Sequence, residues 1–410
     1  MPSLRGVPGK RISAGSPGTQ ENGMITRDDI RQLAEFESPE GCALSFYYQP
    51  SVPRNQAHRE EAILVKDLVR NALRDAEKHG KNGCTRESLE RILGMAESLR
   101  GNNRRGKAIF LCGKHSFYKE FDLPPRLRGT FVTVNNRFHL RPLTGLADVL
   151  PRISIALVDR SKARFFELWM DEIHEREGFT FDLPRRGKSD GFAGFDAGHA
   201  ERHVAHEAMH HFQRVGDYLE KLQQNGFERF LIGCRDETWP SLEPHLHVYV
   251  KDRLVGRFNI DPSTATAQQV REEAERLFQE YRLNRRQAIL RETLGEAGRN
   301  GRGAIGLRKV LESLQTGEIQ TLLLAQNFSA PGVQCTNCGF LDNRVHPECA
   351  MCGQKTREVE DLADPILRMA VRNGIHILHL EDDPDLARVG GIAALLRFRA
   401  DQNTEMKKAV

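Results

Sequence analysis

The sequence lacks most of the features that would place it at once. No apolar run approaches the ~20 residues needed to cross a bilayer; the longest, such as Ile153–Val158 and Leu322–Ala325, stop after a few residues. A membrane-spanning class is therefore excluded. Aromatic residues make up only 7% of the chain, and mean hydropathy is −0.52. This is ordinary globular composition, neither fibrous nor membrane-like. Charge of one sign is also missing: 60 Lys+Arg against 56 Asp+Glu leave a net charge of only +4. Any nucleic-acid surface must then come from local clustering. Eight cysteines in 410 residues are too few for a secreted disulfide scaffold, and four share a metal-like spacing, so a reducing compartment is expected. Residues 1–24 combine Gly, Pro and Ser with scattered Arg and Lys and have no apolar core, so they read as a disordered basic tail and not as a secretory leader.

At roughly 150 residues per domain, 410 residues imply two to four domains. Folded pattern begins near Thr26–Phe36. Ala43–Tyr48, Ala108–Cys112, Thr130–Val134, Ile153–Val158, Arg164–Leu168, Arg229–Gly233, Leu246–Val250, Ile319–Leu324 and Ile375–Leu380 read as strands. Apolar residues at helical spacing predict helices over His58–His79, Arg86–Leu99, Gly198–Gln224, Gln268–Leu290, Val310–Leu314 and Ala363–Asn373. Alternation of the two predicts α/β and α+β layers. Gly317 stands where a helix C-cap is needed.

Charge is uneven along the chain. Between Arg100 and Arg141 there are ten Lys/Arg and two acids, Glu120 and Asp122. Arg104, Arg105, Lys107, Arg126 and Arg128 are candidate phosphate contacts, against the plain alternative of a solvated charged face. The segment Pro184–Gly198 carries four glycines with Arg185, Arg186 and Lys188, and predicts an exposed basic loop whose Gly187 and Gly191 allow close backbone approach to RNA.

The sharpest motif is Cys335-Thr-Asn-Cys338, ten residues, then Cys349-Ala-Met-Cys352. Each Cys-x-x-Cys presents two thiolates from one turn, and two facing turns complete a tetrahedral sulfur site suited to Zn²⁺. With all four positions filled by protein there is no place for an activated water, so the expected zinc is structural, one per chain; a redox dithiol pair is the alternative. His206-Glu207-Ala-Met-His210 matches the H-E-x-x-H pattern of zinc peptidases, but Gln213 stands where the extended motif needs Gly and no third ligand follows. His199, His203, His206 and His210 follow helical spacing and instead predict a stripe along one helix, facing RNA or a partner or forming a plain polar face. Gly187-Lys188-Ser189 has no upstream Gly at phosphate-loop spacing.

The order of motifs resembles the archaeal and eukaryotic class I peptide-release factor family, which includes Pelota. Phe179-Thr-Phe-Asp-Leu-Pro184, a basic Gly-containing loop, and Glu201-Arg202-His203 are similar to the family's middle domain on either side of its Gly-Gly-Gln loop. Val134-Asn-Asn-Arg-Phe138-His139 resembles the end of its N-terminal domain. Gly303–Leu324 and Val389–Arg399 resemble its C-terminal domain, with a Cys-knuckle insertion as in archaeal members. The resemblance implies three mixed domains. These are an N-terminal α+β domain (25–148), a middle RNase H-like α/β domain (149–284) with loop 184–198, and a C-terminal L7Ae-like α/β domain (285–410) carrying a zinc ribbon at 333–357.

The departures limit what carries over. The place of the family's Gly-Gly-Gln tripeptide falls on Gly187, Lys188 and Ser189, so the catalytic Gln is absent. The stop-codon motif falls on Val132, Val134 and Phe138, of which only the Phe is kept, and Gly83-Cys84-Thr85-Arg86 occupies the region of the Asn-Ile-Lys-Ser element. The resemblance then implies a non-catalytic, cytoplasmic, monomeric factor. It would occupy the ribosomal A site, contact its rRNA and work beside a translational GTPase, as bacterial members of the family do in hibernation alongside elongation factor Tu. The alternatives are peptidyl-tRNA hydrolysis with Lys188 or Ser189 replacing Gln, Pelota-like rescue of stalled ribosomes, and a zinc peptidase.

Overall fold

A computed structural model describes residues 25–50, 59–78, 82–95, 106–124, 129–146, 151–169, 172–180 and 196–399. These form a mixed α/β protein with four separate sheets, distributed over two compact units. One unit holds Glu37–Phe138; the other holds Ile30–Phe36 and the chain from His139 onward.

In the first unit an antiparallel sheet runs in the order Phe117–Leu123, Gly106–Cys112, Ala43–Tyr48, Phe131–Asn135. Every residue of the central strand Ala43–Tyr48 is buried, because both faces of the sheet are covered. On one face Phe46, Ile109 and Leu111 meet Val65, Val69, Leu89 and Ile92 from the helices Arg59–Lys78 and Asn82–Met95. On the other, Tyr47, Phe110, Phe131 and Phe138 pack ring against ring, with centroids 5.0–5.7 Å apart. The second helix starts four residues before the expected Arg86 and runs through Gly83 without a break. Cys42, just before the central strand, is disulfide-bonded to Cys84 at the start of that helix, with Cα atoms 5.8 Å apart. At this pair the expectation of reduced cysteines is corrected: folding brings the strand entry and the helix entry together, which sequence separation conceals.

In the second unit a five-stranded sheet runs Glu172–Thr180, Lys162–Trp169, Ile153–Val158, Arg229–Gly233, Leu254–Phe258. The last two strands are parallel to Ile153–Val158 and its neighbour, whereas the first three form an antiparallel meander. The helix Asp196–Gln224 covers one face through Ala208, Phe212, Val215 and Leu219, and the helix Ala267–Gly298 covers the other through Val270, Ala274 and Phe278. Thr266 begins this long helix with a capping box, its hydroxyl accepting from the Gln269 N–H at 3.3 Å while the Gln269 side chain accepts from the Thr266 N–H at 3.0 Å. The expected strand Leu246–Val250 is absent. Glu243–His245 is a 3₁₀ turn and Val248–Lys251 a helical turn, because the His247 ring accepts the Tyr249 N–H and caps it.

The helix Ala267–Gly298 leads into a second sheet, ordered Gly303–Ile305, Ile392–Leu396, Ile319–Ala325, His376–Leu380. Gly317, at φ 73°, ends the helix Leu307–Gln315 and turns the chain into Ile319–Ala325, a left-handed conformation that glycine adopts without a Cβ clash. Inserted here is a three-stranded ribbon, Leu341–Asp342, Gly332–Cys335, Thr356–Val359. The segment following Phe138 is tied to this part of the unit. The His139 ring lies 2.9 Å from the Asp364 carboxylate, the Arg141 guanidinium donates to the carbonyls of Gln326 and Phe328, and Thr144 meets His379 at 3.1 Å.

Candidate metal centre and basic surfaces

The ribbon brings its four cysteines to one point. Strand Gly332–Cys335 delivers Cys335, the turn after it Cys338, and the second turn Cys349 and Cys352. Gly339 and Gly353, both at positive φ, close the two turns. The four Sγ atoms lie within 4.8 Å of one another, with Cys335–Cys352, Cys338–Cys349 and Cys338–Cys352 at 3.5, 3.6 and 3.5 Å. Sulfurs bound tetrahedrally at ~2.3 Å from one ion would stand about 3.8 Å apart, close to these spacings. Backbone N–H groups of Asn337 and Cys338 point at Cys335 Sγ at 3.4 Å, and the Met351 N–H points at Cys349 Sγ at 3.4 Å. Such donors favour thiolate over thiol: the Cys338 N–H holds the Cys335 thiol down to about 6, and the Gln354 N–H lowers Cys352. The donor set and its geometry are those of a closed sulfur site able to hold a metal ion.

Lys107 corrects the expectation of a phosphate contact. It is 6% exposed, within bonding distance of Glu120 and 3.4 Å from Asp122, both presented by the neighbouring strand. Its charge is spent inside the protein. Arg104, Arg105, Arg126 and Arg128, like Arg185, Arg186, Lys188 and the Gly187-Lys188-Ser189 tripeptide, lie outside the described residues, as does the tail 1–24. Val132 and Val134 pack at the edge of the N-terminal core, and Phe138 is 1% exposed against Phe110 and Phe117. The three positions that the resemblance sets at codon reading thus pack in the core or against it.

His206 and His210 are exposed on the helix Asp196–Gln224, their Nε2 atoms 3.0 Å apart, and His210 Nδ1 meets Gln213 at 3.2 Å. Among the described residues, the four cysteines are the group of three or more potential ligands that converges, and it does not include His206, Glu207 or His210. The peptidase constellation is therefore not assembled there. The disulfide Cys42–Cys84 was missed by sequence reasoning; its only signal was that four cysteines remained outside the knuckles.

A multidomain α/β protein with a Cys-knuckle ribbon set into its last sheet is the class these observations define. Residues 139–279 match the model of bacterial archaeo-eukaryotic release factor family 10. The peptide chain release factor subunit 1 of Methanobrevibacter smithii is 22% identical over 308 residues, 68% of this chain and 73% of its own length. A Pelota homologue of Natronomonas pharaonis is 26% identical over 125 residues, 30% of this chain and 31% of its own. The crystal structure of Archaeoglobus fulgidus Pelota covers 92% of this chain and 93% of itself at 14% identity and TM-score 0.33. These likenesses are all to proteins of the archaeal and eukaryotic release-factor and Pelota family, the same family that the sequence motifs resemble.

Proposed function

We propose that this chain is a non-catalytic, cytoplasmic factor that occupies the ribosomal A site as a single copy during hibernation or stress, in the manner of the bacterial family member Balon. The observation that carries the reading is the likeness of residues 139–279 to the release-factor family model, paired with Gly187-Lys188-Ser189 where the resemblance sets Gly-Gly-Gln. Ordering a water for hydrolysis takes a positioned polar group within hydrogen-bond reach, and a flexible ammonium substitutes poorly for the carboxamide. The burial of Phe138 supports the loss of codon reading in the same way. In this reading 25–148 lies at the decoding centre, 149–284 directs Arg185, Arg186 and Lys188 toward the peptidyl-transferase centre, and 285–410 meets a translational GTPase, elongation factor Tu being the partner expected. Cys335, Cys338, Cys349 and Cys352 hold one structural Zn²⁺, whose contribution is to fold the ribbon.

Two assays together test the proposal. The protein should compete with A-site tRNA for vacant ribosomes and release no peptide from peptidyl-tRNA; release at a rate set by Lys188 or Ser189 would replace it with the hydrolase reading. The Pelota relative favours one second reading, rescue of stalled ribosomes, which selective binding to stalled complexes would establish.

A further inference from the structure

A cavity of about 220 Å³ opens beside the strand Ile153–Val158, under the C-terminal end of the helix Asp196–Gln224. It belongs to neither the cysteine ribbon nor the basic loop. Three features of its wall select a ligand.

The first is shape. Phe165 and Tyr218 meet at a ring-centroid distance of 4.4 Å, and the Arg152 guanidinium lies 4.3 Å over the Phe227 ring, so the walls are planar groups. The volume falls below the roughly 300 Å³ at which sites for larger ligands begin, so one ring system fills it.

The second is charge. Arg152 and Arg176 share a single carboxylate, Glu167, whose side chain is 7% exposed while theirs are 32% and 52% exposed. Two guanidiniums with five donors each are not exhausted by one carboxylate, and the surplus positive charge sits at the mouth. The Glu167 carboxyl, though its burial opposes ionisation, is held below the usual range by Arg152 and Arg176, so the clamp stays charged.

The third is the floor. Ser154 is 1% exposed and its hydroxyl has no hydrogen-bond partner among the described residues. A buried hydroxyl without a partner is uncommon, and this one lines the cavity, where a ligand edge would satisfy it.

We propose that this cavity binds one nucleotide, with its base stacked among the aromatic and guanidinium planes, its edge on the Ser154 hydroxyl and its phosphate at Arg176. Base stacking on aromatic side chains with edge hydrogen bonding is how proteins hold unpaired RNA residues. Arg176, the phosphate-side group of the wall, has a side chain 52% exposed, and a site exposed on its phosphate side favours an extruded RNA nucleotide over a free one. The inference goes beyond the ribosomal reading and is independent of it.

The test is equilibrium binding of a fluorescein-labelled single-stranded hexaribonucleotide to the full chain at physiological salt, with AMP, GMP, CMP and UMP as competitors. Ser154→Ala and Arg176→Ala are measured in parallel, each with a thermal melt. Ser154→Ala removes an unsatisfied hydroxyl and no charge, so it should leave the melting temperature unchanged or higher while weakening binding; Arg176→Ala should weaken it about tenfold. Competition by free monophosphates only far above the oligonucleotide's Kd assigns the site to RNA, and equal affinity assigns the same site to free nucleotides. Absence of binding, or equal binding by wild type and by both folded variants, overturns the proposal.

Discussion

Lys107 stands in a segment with ten basic and two acidic residues, yet it is committed to those two acids. The antiparallel register sets Lys107 opposite Asp122 and brings Glu120, one inward position further, within reach; the Tyr118 hydroxyl donates to Glu120 at 2.6 Å. Replacing Lys107 with Met would leave two partly buried carboxylates without their cation. The expected loss is about 3 kcal/mol of stability, read from urea unfolding, with ribosome affinity of the folded protein unchanged. The same cluster predicts a pH dependence. Burial alone would raise the Glu120 carboxyl, but bonds from Lys107 and Tyr118 hold it below its ordinary value of 4.5. A lowered folded-state value gives stability that is present above that ordinary value and lost as pH falls through the folded one. Acid unfolding should therefore begin below about pH 4.5, and Lys107→Met should flatten that limb; an unchanged acid limb would contradict the assignment. A charge census cannot foresee this pairing, because it depends on strand register, and Phe117–Leu123 shows no alternation that announces a strand.

Most elements were legible in the sequence because their periodicity matched their burial. The helix Arg59–Lys78 and the strands Ala43–Tyr48 and Ile153–Val158 fall where apolar spacing places them. Leu246–Val250 failed for the opposite reason: it alternates, but Val248 and Tyr249 are each 56% exposed, so no sheet face stands behind the pattern. The 3₁₀ turn before it is held by a close approach at Gly216. A Cβ there would meet the His245 carbonyl at 2.1 Å. Gly216→Ala should push the helix Asp196–Gln224 off this turn and cost about 1–3 kcal/mol, checked by calorimetry. The cysteine ribbon was the most legible element, because four thiols at knuckle spacing have few other uses. Changing Cys335 and Cys338 to Ser should remove the expected zinc, measured by mass spectrometry of the native protein, and release the ribbon's amides to rapid hydrogen exchange while the two larger sheets stay protected. Unchanged zinc content would sink the assignment.

At the scale of the whole molecule, the likeness to release factors was more legible in the sequence than any surface was. The expected replacement of Gly-Gly-Gln by Gly187-Lys188-Ser189 is a reading from sequence resemblance alone, whereas the cavity beside Ser154 was not legible there, since its walls come from five stretches between Arg152 and Phe227. The basic residues Arg185, Arg186 and Lys188 supply a charge test of the ribosomal reading. Reversing all three to Glu should weaken ribosome binding by at least about tenfold and lessen its salt dependence, because fewer phosphates are neutralised. The central claim is A-site occupancy without catalysis, and co-sedimentation with vacant and with translating ribosomes, at low and physiological salt, with and without elongation factor Tu, tests it most directly. Salt-sensitive pelleting with vacant ribosomes, strengthened by elongation factor Tu, is the result predicted; no pelleting under any of these conditions would contradict it.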